Sequence, residues 1–186
     1  MVVQVERARR MFTADEFERM VGVGILRSDE RLELIRGEIV EMTPIGHRHA
    51  ACVANFNKRL VTGVGDRAVV WIQGPARLAV DTVPEPDLAL LRRRSYVTSA
   101  PGPDDILLVI EVAESSLRYD RGDKLRLYAA AGVPEYWVAS VEGGWIEVYR
   151  SPHDDSYRER RRAERGETMS SLAFPDVSVP VADVFA

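Results

Sequence analysis

The chain has 186 residues, 46% of them hydrophobic and 29% charged, with a formal net charge of −4 at neutral pH. This balance fits one soluble globular domain with a sizeable core and is short for two. It excludes a generally basic protein that coats nucleic acid, and no apolar run approaches the about 20 residues that cross a bilayer.

The opening MVVQVERARRMF carries charges with no apolar block behind it, so it does not read as a secretory signal. Thr13 followed by Glu16 is a capping-box pair, and Phe17, Met20 and Val21 form an apolar stripe, which predicts a helix over about 13–22. LELIRGEIVEM reads as two strands joined at Arg36-Gly37, with Glu33 and Ile35 on one face and Leu32 and Leu34 on the other. Val53, Phe56, Leu60 and Val64 recur at helical spacing, which predicts a helix over about 47–62. Cys52 within it is the only cysteine, so an internal disulfide is impossible and a reduced cytoplasm is the expected location. AVVWIQG, ARLAV and PDLALL read as short strands, and residues 92–105 as a long loop rich in turn residues. ILLVIEVA is the most apolar run and belongs in the middle of a sheet. Asp120 is placed as the cap of a helix over about 120–131, which Gly132 and Pro134 end. EYWVAS and WIEVYRS form a hairpin, and the tail from 171 onward has the proline spacing of an extended wrapping segment. The run from Tyr157 to Glu167 alternates Arg and Glu and reads as a solvated strand or loop before a phosphate track. The expected class is mixed α/β: a β-sheet flanked by helices, with extra hairpins, in a single domain over 1–186 (core about 12–150, strand and tail 151–186).

Glu111 interrupts that apolar strand. Burying an ionised carboxylate there costs several kcal/mol unless it is paired or bound to a cation. Asp87 stands at a strand start just after Pro86. If the two strands are neighbours, both acids meet at one sheet edge, and hard oxygen ligands on rigid strands suit Mg²⁺ or Mn²⁺. The backbone carbonyl of Val112 is a further ligand in that scheme. Lys124, one turn into the next helix, either reaches the same site or is an exposed helix lysine.

ELIRGEIVEM, GHRHA, PEPDLALL, LVIEVAESS and YDRGDKLRLYAAAGVPEYWV follow one another in this order. That order resembles the Uma-two family of restriction-endonuclease-like proteins, within the PD-(D/E)xK nuclease superfamily. The resemblance runs from about residue 12 to the tail, and its most specific block ends in AAAGVPEYW. It implies a restriction-endonuclease-like mixed sheet, Asp87 and Glu111 as metal ligands, Glu33 near the site and Lys124 on the following helix. The superfamily lysine two residues after the glutamate is Ala113 here, and Lys124 is the matching candidate. Glu33 is favoured over Glu38 as the acid facing the metal. His47 falls where the family has a histidine opening the helix, and it either orients water or phosphate or simply caps the helix; His49 has no evident role. Ser115 reads as a local backbone cap. The expected function is Mg²⁺-dependent endonucleolytic hydrolysis of nucleic acid, DNA first. The alternatives are a nuclease-fold binding or assembly module with little catalysis, and hydrolysis of another phosphoester. Self-association into a dimer or larger homo-oligomer is expected through apolar surface on the Trp137–Tyr149 hairpin and the tail.

Overall fold

The computed structural model describes residues 9–27 and 29–186, so the first eight residues of the opening segment lie outside it. Helix α1 (Ala14–Gly22) starts as its capping box dictates: Glu16 N–H donates to Thr13 Oγ1 (3.2 Å) and Thr13 N–H to Glu16 Oε2 (3.0 Å). Strands β1 (Leu32–Ile35) and β2 (Glu38–Glu41) form the predicted hairpin. Arg36 and Gly37, with φ of 50° and 80°, make its two-residue turn, whose twist requires positive φ at both positions. The hairpin stands apart from the main sheet and is tied to the 81–83 segment by the Leu34–Val83 bridge and the Gly37 N–H to Asp81 bond (2.7 Å). Leu34 and Val83 join Ala14 and Phe17 in a small core of their own.

Helix α2 (His47–Val64) buries the stripe Cys52, Val53, Phe56, Leu60 and Val64. It packs on one face of a six-stranded sheet of β3 (Ala68–Ile72), β4 (Leu88–Arg92), β5 (Ile106–Ala113), β6 (Glu135–Ser140), β7 (Trp145–His153) and β8 (Ser156–Ala163), in that order. Neighbours run antiparallel except β5 and β6, which are parallel. A parallel pair needs a crossover. Here it is α3 (Leu117–Tyr119), a π-helical turn (Asp120–Lys124) and α4 (Leu125–Ala130), packed on the opposite face. Leu108, Ile110 and Val112 of β5 therefore pack in the α2 core, and Val109 and Ala113 in the crossover core. The mixed sheet flanked by helices is the predicted class.

Three local expectations are corrected. Residues 76–80 form no strand: the segment makes only the Ala79–Thr82 bridge, because its N–H groups fold back locally (Leu78 to Thr82, 3.0 Å) or reach Pro84 from Ala76 (2.9 Å). Asp120 is not a helix cap. The helical path opens at Leu117, and Asp120 lies in the π turn, where Ser116 Oγ donates to its Oδ2 (2.5 Å). The apolar surface expected to drive self-association is used internally: Trp137 is fully buried, and Phe174, Val177, Val179, Val181 and Val184 of the tail join the α2 core. The tail itself carries β9 (Thr168–Met169), β10 (Val179–Pro180) and α5 (Val181–Val184). Among the described residues, no helix is long and apolar enough to cross a membrane.

Candidate active site

Leu88 pairs with Ile110 at the end of the β4–β5 ladder, which leaves Asp87 alongside Glu111 and Val112. The two strands clasp there. Val112 N–H donates to Asp87 Oδ2 (2.8 Å), and Asp87 N–H donates to Glu111 Oε2 (3.3 Å). In an extended strand the N–H and C=O of one residue point to the same side. The Val112 carbonyl therefore opens toward Asp87, where β4 has ended.

Lys124, from the π turn, donates to Glu111 Oε1 (3.2 Å) and to Glu33 Oε1. Tyr128 on α4 donates its hydroxyl to the same Glu111 oxygen (2.7 Å), and Glu85 N–H donates to Glu33 (2.7 Å). Glu33, Asp87, Glu111, Asp120 and Lys124 are each at most 6% exposed. They line one cavity of about 400 Å³, roofed by β2 and the segment after it, with Arg31, Glu114 and Tyr119 at its wall. The reading of Lys124 as an exposed helix lysine is thereby overturned: the π turn swings it inward. Glu33 lies in the cavity, as favoured, whereas Glu38 is exposed and held by Arg9.

Four buried acids face one buried lysine in the cavity, more carboxyls than it can pair. Burial pushes the Glu111 carboxyl up to about 8, against the pull of Lys124, with Asp87, Asp120 and Glu33 adding to the rise. Asp120 is lifted to about 6, again chiefly by burial. The Lys124 ammonium is held above its ordinary range because Glu111 and Glu33 outweigh its desolvation. An excess of buried carboxyls with hard oxygens, whose ionised forms a cation would favour, fits a divalent ion. The protein side chains do not form a closed cage: among the described residues, no three His, Cys, Asp or Glu groups converge as a preformed metal site. A backbone carbonyl and waters must complete any shell.

The structure separates the two histidines. His47 is exposed and does not line the cavity, whereas His49 does, with its Nε2 3.0 Å from Asp87 Oδ2. The same Asp87 oxygen accepts from Val112 N–H, so the helix and the strand meet on one carboxylate oxygen. The buried Nδ1 has no hydrogen-bond partner among the described residues. The signal that finds His49 is helical phase: it extends the stripe of Val53, Phe56 and Leu60 by one turn toward the sheet, while His47 falls off it. Ser115 is exposed at the cavity rim, and its neighbour Ser116 donates to the Asp120 carboxylate.

The sequence profile of the Uma2 family, described as a "putative restriction endonuclease", matches residues 14–182. The chain belongs to this family. Among solved structures, this Uma2 chain is similar to a "putative nuclease belonging to DUF820" from Anabaena variabilis, with a TM-score of 0.74 and 16% identity over 94% of this chain and 97% of that one. At that identity the likeness concerns the fold. No curated protein matches the sequence. In this fold the Asp87–Glu111 clasp stands at the adjoining ends of two inner strands, with Lys124 supplied from the crossover.

Proposed function

We propose that this protein is a Mg²⁺-dependent (or Mn²⁺-dependent) endonuclease that hydrolyses phosphodiester bonds in nucleic acid, with DNA as the substrate. The observation that carries the reading is the clasp of Asp87 and Glu111 on adjacent strand ends, with a buried lysine on one of the two acids. Asp87, Glu111 and the carbonyl of Val112 would hold the ion. When bound, a divalent cation supplies a water of lowered pKa and neutralises charge on the phosphate.

The protein's own groups have separable tasks. His49 fixes the Asp87 carboxylate from the helix side. Glu33 and Tyr128 fix the ammonium of Lys124 and the carboxylate of Glu111. Lys124 presents a fixed positive charge beside the metal-binding acids, where it orients the attacking water and stabilises negative charge developing on phosphate oxygens, a type of interaction worth about 3–4 kcal/mol in measured cases. Asp120, lifted to about 6 by burial, can hold or release a proton at its cavity-facing carboxyl near neutral pH. A reduced cytoplasm suits the single buried Cys52.

The test is cleavage of supercoiled plasmid with Mg²⁺, Mn²⁺ or EDTA, beside Asp87→Ala. Metal-dependent nicking that Asp87→Ala abolishes supports the reading; no nicking, or equal nicking by the variant, rejects it. A second reading, a nuclease-fold binding module, is favoured by one observation: both Glu111 oxygens already have protein partners. Calorimetry with Mn²⁺ separates the two. Binding that Glu111→Gln removes supports the nuclease, and no binding supports the module.

A further inference from the structure

On the far side of the crossover helix, three arginines converge on one carboxylate. Glu147 of β7 is fully buried. Its Oε2 forms an ion pair with Arg121 Nε (3.0 Å) and accepts from the Tyr149 hydroxyl (2.6 Å). Its Oε1 accepts from Arg160 (2.6 Å) and Arg162 (3.3 Å), both on β8. Burial alone would raise this carboxyl, but the Tyr149 hydroxyl and the surrounding arginines hold it below its ordinary range, so it stays charged. One guanidinium would neutralise Glu147; three leave two positive charges uncompensated. Arg162 also lies over the Trp145 ring at 4.1 Å, which fixes its plane. Arg118, exposed on the same helix, has no hydrogen-bond or ion-pair partner among the described residues, and it lines a shallow groove with Leu117, Arg121, Leu125, Tyr149 and Arg160.

Each of the three paired arginines contacts Glu147 through a single nitrogen. Their remaining N–H donors are oriented but not used up, and their side chains stay 35%, 52% and 43% exposed for Arg121, Arg160 and Arg162. Guanidinium forks match the paired oxygens of a phosphodiester, and a nucleic-acid backbone presents such groups in series. The helix that carries Arg118 and Arg121 is the same one whose Ser116, Tyr119, Asp120 and Lys124 line the catalytic cavity. The two surfaces are therefore one helix diameter apart, about 10–12 Å.

We propose that the groove of Arg118, Arg121 and Arg160, with Arg162 beside it on the same Glu147 carboxylate, is a docking surface for the phosphate backbone of a DNA strand that runs past the crossover helix into the catalytic cavity. This rests on the nuclease reading for its destination, though not for its chemistry. Glu147 acts in it as an internal anchor that holds the guanidiniums in place before the strand arrives. It also explains how a protein of net negative charge, with an acidic cavity, would hold a polyanion: the grip and the chemistry occupy different faces of one helix.

The test is fluorescence anisotropy of a labelled duplex and its single strand, with EDTA present so that nothing is cut. Arg118→Glu is the main variant because its side chain supports nothing in the fold. Arg160→Gln is the second, with thermal melts confirming that both remain folded. Wild-type binding that falls on the order of tenfold in Arg118→Glu, with the slope of log K against log salt reduced by roughly one, supports the proposal. Equal affinity and equal salt slope in both variants overturn it, even if the protein cuts DNA. Plasmid cleavage by the wild type with Mg²⁺, run beside the binding assay, separates the two claims. If wild type binds through the arginines yet no metal brings cleavage, the docking surface stands and the nuclease reading falls.

Discussion

Lys124 and Glu33, 91 residues apart in the chain, are in direct contact inside the protein, with 4% and 2% of their side chains exposed. The pair joins the hairpin to the crossover helix and sets the floor of the cavity. Replacing Lys124 by Met leaves Glu33 and Glu111 as buried acids without their cation. Loss of one partner from a buried pair is expected to cost about 3–5 kcal/mol. The effect should depend on pH. Glu111 in the fold titrates near 8 instead of 4.5, so its ionisation opposes folding, and stability is lost as pH rises through that window. Without Lys124 the window widens upward, so urea unfolding should find Lys124→Met much weaker than wild type on the alkaline side and closer to it below the ordinary glutamate range.

The two histidines should behave oppositely. His49→Ala removes the group that holds Asp87. If Asp87 is a metal ligand, Mn²⁺ affinity by calorimetry should fall by about 10- to 100-fold with the fold intact. His47→Ala, at an exposed position, should leave affinity unchanged.

The loop after β4 is held by Asp105. Arg94 donates to both its oxygens (2.7 and 2.6 Å), and Gly102 N–H adds a third bond (2.9 Å). The Arg94 guanidinium, with that backbone bond, holds the Asp105 carboxyl down at about 2. A depressed acid stabilises above its ordinary value of 3.8, and that contribution is lost as pH falls through 2. Carboxyl NMR titration should place Asp105 near the lower value, and Arg94→Ala should return it to the ordinary range. Hydrogen exchange of residues 93–105 should quicken in the same variant.

Gly37 sits at φ 80°, and a Cβ there would meet Met11 Cβ at 2.7 Å and the Phe12 backbone at 3.2 Å. Gly37→Ala is expected to cost about 1–3 kcal/mol. The loss should be local: amide protection in β1 and β2 should fall while that in β5 holds.

Much of this architecture was legible because single periodicities decide it. Val53, Phe56 and Leu60 mark one helix face, ILLVIEVA admits only a central strand, and Glu111 stands out as a charge with no apolar excuse. What escaped depends on geometry that periodicity does not encode. The π turn adds a residue to one helical turn, which shifts Asp120 and Lys124 from the face a regular helix would give them. ARLAV has strand composition, but its backbone groups find nearby loop partners first. His49 was hidden by its neighbour, since His47 sits at the helix start while only His49 shares the buried phase. In the 157–167 run Arg161 meets Glu167 from within the run, but Arg160 and Arg162 meet Glu147 on the neighbouring strand, a partner that sequence spacing does not reveal.

The hairpin has its own small core and lies outside the six-stranded sheet, yet it delivers Glu33 and roofs the cavity. Being folded and being competent are therefore distinct conditions for this protein. A population in which the hairpin has swung away would keep its six-stranded sheet and its melting transition while lacking an assembled reaction chamber. Stability measurements alone would count such molecules as native, and only a count of competent sites would reveal them.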